Sequence, residues 1–223
     1  MGLTIHYSIA VVGPKPPEEI KALVITAHRR AHALVRRRGL EAIGPVATVT
    51  PADRPGWREP PQEGWCFYVN PGPGCESATF GLTRSTSRFR RHPEQPARWI
   101  VHGCCKTQYA SLHGEENFLR CHLAIIDLIR IWERLGCSVR IKDEGDYWPK
   151  RDVPTLLREC GFLNAAIAGF AGAMKDAAGE AGSAIQAPVF AHPQFERLEA
   201  EAVARHGDLF ETLSNEVRQL TDF

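Results

Sequence analysis

At the start of the chain Leu3, Ile5, Tyr7 and Ile9 alternate with Thr4, His6 and Ser8, and this period of two predicts a β-strand over residues 3–12 with one apolar face. The period then changes. From Pro17, the residues Ile20, Leu23, Val24, Ala27, Ala31, Leu34 and Val35 recur at helical spacing, with Glu18 and Glu19 in the first turn and Gly39 after Arg36–Arg38 as a stop. Strand patterns follow at Val46–Thr50, Trp65–Val69, Ser77–Leu82, Trp99–Val101 and Val139–Lys142. Residues 51–64 are Pro-rich and aperiodic, and Asn70–Gly74 reads as a turn between paired strands.

The clearest helix pattern runs from Glu115 to Leu135, between Gly114 and Gly136. Phe118, Ile125, Ile129 and Trp132 make its apolar face, and Cys121 and His122 flank that face, so both are expected to point inward. A further helix over 152–178 carries Leu156, Leu157, Cys160, Leu163, Ile167, Phe170 and Met174 as its inner face. After a small-residue break, residues 195–220 form an amphipathic helix with Leu198, Val203, Leu209, Phe210, Leu213 and Val217 as its stripe. The order of elements predicts an α+β fold: a largely antiparallel sheet with helices packed on one face, built from ferredoxin-like elements. Residues 1–182 are expected to form the core domain. Residues 183–223 would be a helical extension docked on that core or on a second copy, in a monomer or homodimer.

Composition narrows the class. Hydrophobic residues at 43% and charged residues at 24% suit a globular protein, and no window approaches a membrane span. The N-terminus lacks the pattern of a signal peptide, and seven cysteines without framework spacing suggest reduced thiols, so a cytoplasmic location and no membrane association are expected. The net charge of +1 conceals a basic first half: residues 1–110 hold 15 Lys and Arg against 8 Asp and Glu. That asymmetry fits either an anionic ligand or simple attraction between the two halves.

Candidate chemistry concentrates in Trp99–His122, where three cysteines and three histidines fall within 24 residues. The stretch reads as a strand leading through a loop into a helix, a junction where sites are commonly built. The leading expectation is a small-molecule site for an anionic ligand, with Cys105 as a reactive thiol, His122 or His102 moving protons and Asp143 orienting the base. Lys106, Thr107, Gln108, Tyr109, Asn117 and Arg84 would line it. A thiol-dependent hydrolase or transferase fits these residue types. The competing reading is a binding or adaptor protein without catalysis, contacting nucleic acid through Arg29, Arg36–Arg38 and Arg84–Arg91. Walker A, G-x-S-x-G, H-E-x-x-H and G-x-G-x-x-G patterns do not occur. A mixed metal site using Cys105, Cys121 and His122 is disfavoured, because adjacent helical residues diverge by about 100°. No metal is assigned, and the sequence specifies no cofactor.

The start MGLTIHY, the block CKTQYAS at 105–111, NFLRCH at 117–122 and DEGDYWPKRD at 143–152 together resemble a family of bacterial proteins known chiefly from genome sequences. The resemblance implies a bacterial cytosolic origin and brings no activity, cofactor or catalytic assignment.

Overall fold

A computed structural model describes residues 3–50, 61–85, 98–177 and 186–221. Its strands are β1 (Thr4–Ala10), β2 (Ala42–Ile43), β3 (Ala47–Val49), β4 (Pro61–Asn70), β5 (Ala78–Ser85), β6 (Trp99–Lys106) and β7 (Ser138–Asp143). Its helices are α1 (Pro17–Arg38), α2 (Glu115–Glu133), the short α3 (Tyr147–Lys150), α4 (Val153–Ala177) and α5 (Phe195–Thr221). All seven strands join one sheet in the order β2-β4-β5-β6-β1-β7, with β3 also pairing β4, and every pairing is antiparallel. The fold is α+β.

Strand alternation decides which residues meet the helices. Ile5, Tyr7 and Ile9 of β1, Phe67 and Val69 of β4, Phe80 and Leu82 of β5 and Val101 and Cys105 of β6 share one buried face with α1 and α2. Phe118, Ile125, Ile129 and Trp132 of α2 are at most 1% exposed, as the helical period requires. Ala124, Ile126, Leu128 and Ile131 are buried as well, so α2 is enclosed on more than its one apolar stripe. Gly39 adopts a left-handed conformation (φ 60°) and its N–H closes α1 onto Arg36 O and Val35 O.

β6 differs most from the sequence reading. It runs to Lys106, five residues beyond the expected end, so Cys104 and Cys105 are strand residues that alternate across the sheet, Cys105 buried and Cys104 exposed. Its pairing with β1 carries this extension, from Ala10 opposite Ile100 to Thr4 opposite Lys106. The other face of β1, β6 and β7 carries His6, His102, Cys104, Arg140 and Lys142, all exposed, and the helices α1 and α2 lie on the opposite side.

α5 folds back along α4, and the contact runs through small residues. Ala165, Ala168 and Ala171 of α4 are buried with Leu198, Ala202 and Phe210 of α5. This corrects the expected stripes: Phe170 is 44% exposed, Val203 50% and Leu209 57%. The reason is close approach, since a Cβ on Gly169 would lie 2.6 Å from Ala202 Cβ, leaving no room for large side chains between the helices. α5 also kinks at His206, whose φ of −141° lies outside the helical region.

Candidate functional site

The residues singled out from the sequence divide into two places. The first is inside the molecule. Thr107 and His122 are completely buried, and the Asp143 side chain is too. The Thr107 hydroxyl lies 2.9 Å from His122 Nδ1, and His122 Nε2 lies 3.3 Å from Asp143 Oδ1 without a well-aligned hydrogen bond. Asp143 also accepts the Gly145 N–H at 2.9 Å on Oδ1 and the Trp148 N–H at 2.8 Å on Oδ2. It therefore organises the turn at 143–148, in which Asp146 takes a left-handed φ of 58°. Burial alone would raise the pKa of this carboxyl, but the imidazole and the two backbone N–H groups outweigh it and hold the pKa below its ordinary range.

Gln108 extends the same buried network. Its Oε1 accepts the Leu3 N–H at 2.9 Å, and its Nε2 donates to Asn164 Oδ1 at 3.0 Å. Asn164 in turn donates to Ser111 Oγ at 2.9 Å. Leu3 belongs to the run into β1, Gln108 to the 3-10 turn Gln108–His113 and Asn164 to α4, so these amides join three distant parts of the chain. A buried polar network whose members satisfy one another ties these parts of the fold together.

Cys105 also faces inward. It is 0% exposed, and its Sγ donates to Glu76 O at 3.1 Å. Burial and the nearby Glu76 push its thiol well above the ordinary value. A reactive thiolate needs the opposite environment.

The second place is the open face of the sheet. Cys104 is exposed and stands directly opposite His6, which is also exposed. Side chains opposite each other on one face lie about 4.5–5.5 Å apart at Cβ. On its other side His6 stands opposite Lys142. The imidazole Nε2 is 3.5 Å from Glu144 Oε1, and Glu144 is itself fixed, because its Oε2 accepts the Thr4 N–H at 3.1 Å. One rank further, Ser8 lies between His102 and Arg140. Lys106 closes the end of this surface. Its N–H donates to Glu76 Oε2 at 3.2 Å, and its ammonium sits 4.7 Å from the centre of the Tyr109 ring.

The two remaining ligand candidates stand apart from both places. Asn117 donates to Pro73 O and Ala110 O, holding the β4–β5 connection on α2. Arg84 pairs with Glu63 at 2.5 Å and lies 5.3 Å over the Trp99 ring at the far end of β5. The sequence offers Cys104 as an alternative thiol to Cys105 and Glu144 beside Asp143 as an orienting carboxylate, but it does not point to His6 or join the three. Their link is a strand register between residues about a hundred positions apart, and only the length of β6 reveals it. Among the described residues no three His, Cys, Asp or Glu side chains converge on a position that holds a metal ion. Among them, too, no helix is long and apolar enough to cross a membrane. Compared with known proteins, the chain matches no family model, no curated protein and no solved structure.

Proposed function

We propose that the protein binds an anionic small molecule on the open face where β1, β6 and β7 meet, and acts on it as a thiol-dependent hydrolase or transferase. The observation that carries this reading is His6, which has the Cys104 thiol opposite on one strand and the Lys142 ammonium opposite on the other, with Glu144 3.5 Å from its ring. This is the order of parts that nucleophilic catalysis uses: a thiol, a base beside it and a carboxylate that orients the base. Lys142 and Lys106 supply cations on the same surface for a carboxylate or phosphate group of the ligand. Cys104 takes the role of nucleophile in place of Cys105, which the sequence favoured, because solvent and substrate reach it.

Alkylation under limiting iodoacetamide, read by peptide mass spectrometry, tests the reading. Cys104 should label first among the seven cysteines, and both His6→Ala and Glu144→Gln should slow that labelling several-fold. Labelling of Cys104 that is unchanged in the His6→Ala variant would remove the catalytic role of the pair.

The nucleic-acid reading finds less support. Arg38 is engaged by Asp127 of α2 and Arg84 by Glu63 and Trp99. Arg88–Arg91 lie outside the described residues.

A further inference from the structure

A second pair of thiols lies away from the open face, where the β4–β5 connection crosses the start of α2. Cys75 and Cys121 are brought together there: a Cβ on Gly72, three residues before Cys75, would lie 3.1 Å from Cys121 Sγ. They pack in the same small cluster with Leu3, Ala110, Phe118 and Leu156. Cys121 is fully buried and Cys75 partly exposed, so the pair has one sulfur toward solvent and one behind it.

The connection is clamped in place around them. Asn117 Nδ2 donates to Pro73 O at 3.2 Å, and Arg120 Nη1 donates to Pro71 O at 3.4 Å. The Arg120 guanidinium also donates to Asn117 Oδ1 at 2.6 Å, and Cys121 Sγ lies 3.5 Å from Pro71 O. The Cys75 N–H closes a turn on Gly72 O at 3.2 Å. At Gly74, where φ is +76°, a Cβ would lie 2.2 Å from Tyr109 O, so the connection is pressed against the 3-10 turn with no room to withdraw.

We infer that Cys75 and Cys121 form a reversible intramolecular disulfide when the protein meets a peroxide, tying the β4–β5 connection covalently to α2. The electrostatics favour the first step. The hydrogen bond from Cys75 and the charge of Arg120 outweigh burial at Cys121 and lower its thiol, while sharing the proton raises Cys75. The thiolate of the pair is therefore Cys121, with the protonated Cys75 beside it as the second sulfur.

The thiolate sulfur attacks one oxygen of hydrogen peroxide. The O–O bond breaks, and hydroxide leaves and takes up a proton to become water. The second sulfur then attacks the resulting sulfenic acid, the S–O bond breaks, and a second water departs. Two thiols are oxidised, one peroxide is reduced, and a dithiol restores the starting state by exchange.

The full chain treated with stoichiometric hydrogen peroxide and digested with trypsin without reduction tests the pair. The peptide 121–130 should appear joined to 59–84, with fragmentation placing the link at Cys75 and not at Cys66, which shares that peptide. Dithiothreitol should release it. Cys75→Ser and Cys121→Ser should each abolish the link, whereas Cys104→Ser should leave it intact, which separates this pair from the open-face thiol. Should Cys75 be carried to its sulfinic acid with no link to 121–130, or should the link form at Cys66, the inference is overturned. Circular dichroism of each serine variant guards against misfolding. If both variants lose the native spectrum, the unmodified chain still decides, through the presence or absence of the linked peptide.

Discussion

Asp143 and Glu144, adjacent at the end of β7, point to opposite faces of the sheet, and each meets a histidine there: His122 at 3.3 Å in the core and His6 at 3.5 Å on the open face. The two contacts look alike in sequence and differ in what surrounds them. The Asp143 side chain is fully buried, and both carboxylate oxygens are committed to backbone N–H groups. Around Glu144 a third of the side chain is open, with 32% of its surface exposed. An ion pair of the first kind fixes structure, and one of the second kind is available for chemistry.

Asp143→Asn should therefore destabilise the protein by about 3 kcal/mol, the usual cost of removing one partner from a buried pair. For a chain of this size that lowers the thermal midpoint by roughly 6–12 °C. Glu144→Gln should leave the midpoint nearly unchanged and slow Cys104 alkylation instead. Differential scanning calorimetry beside the labelling experiment reads both arms. Equal loss of stability in the two variants would show that the faces do not divide structure from chemistry in this way.

The same carboxylate sets a pH dependence whose sign is fixed by its lowered pKa. A carboxyl held below its unfolded value contributes stability that is fully present above that unfolded value, about pH 3.9 for aspartate. The contribution is lost as pH falls toward the folded value. The stability gap between the native protein and Asp143→Asn should thus be constant from neutrality to about pH 5 and shrink below pH 4. Urea unfolding at a series of pH values measures the gap, and a gap that widens on acidification would contradict the assignment.

Gly103 faces the core opposite Tyr7, whose ring stacks on Phe80 and whose hydroxyl donates to Thr79 O at 2.7 Å. A Cβ at position 103 would lie 2.4 Å from the Tyr7 ring. Gly103→Ala should cost about 1–3 kcal/mol by overpacking. Gly103→Ala combined with Tyr7→Leu should recover part of that loss in thermal denaturation. No recovery would place the strain elsewhere.

Much of this fold was legible because periods of 2 and 3.6 residues are local properties: β1, α1 and α2 followed from the spacing of their apolar side chains. The end of β6 was not legible, since Gly103-Cys104-Cys105-Lys106 has no strong alternation and is held in the strand by its pairing with β1. The inner face of α4 was misjudged for a related reason. Large residues marked the expected stripe, whereas α5 approaches along alanines and glycines that carry little signal by themselves. For the site, His122 and Asp143, which the sequence puts in one group, lie 3.3 Å apart with both side chains buried. The open-face group depends on a long-range register that no spacing along the chain encodes.

The way α5 is attached leads to the last expectation. The first half of α4 is secured independently of α5: Leu156 and Cys160 pack beside Leu3 and Phe118, Asn164 bonds Gln108, and Asp152 caps the helix by accepting the Thr155 N–H at 3.1 Å. The second half has a different partner, since Ala165, Ala168 and Ala171 are buried with Val189, Leu198, Ala202 and Phe210. Truncation after Gly182 removes that partner and exposes an alanine-rich face, while helix propensity alone gives a free stretch of this length only marginal stability. Hydrogen exchange should show protection lost over 165–177 and kept over 153–164, with β1, β6 and α2 unaffected. Gly169→Leu in the full chain should produce a milder version of the same pattern, because its side chain would displace Ala202 and the Phe210 ring. Protection that persists through 165–177 after truncation would mean that α4 stands without α5, and that the C-terminal helix contributes nothing to the fold it lies against.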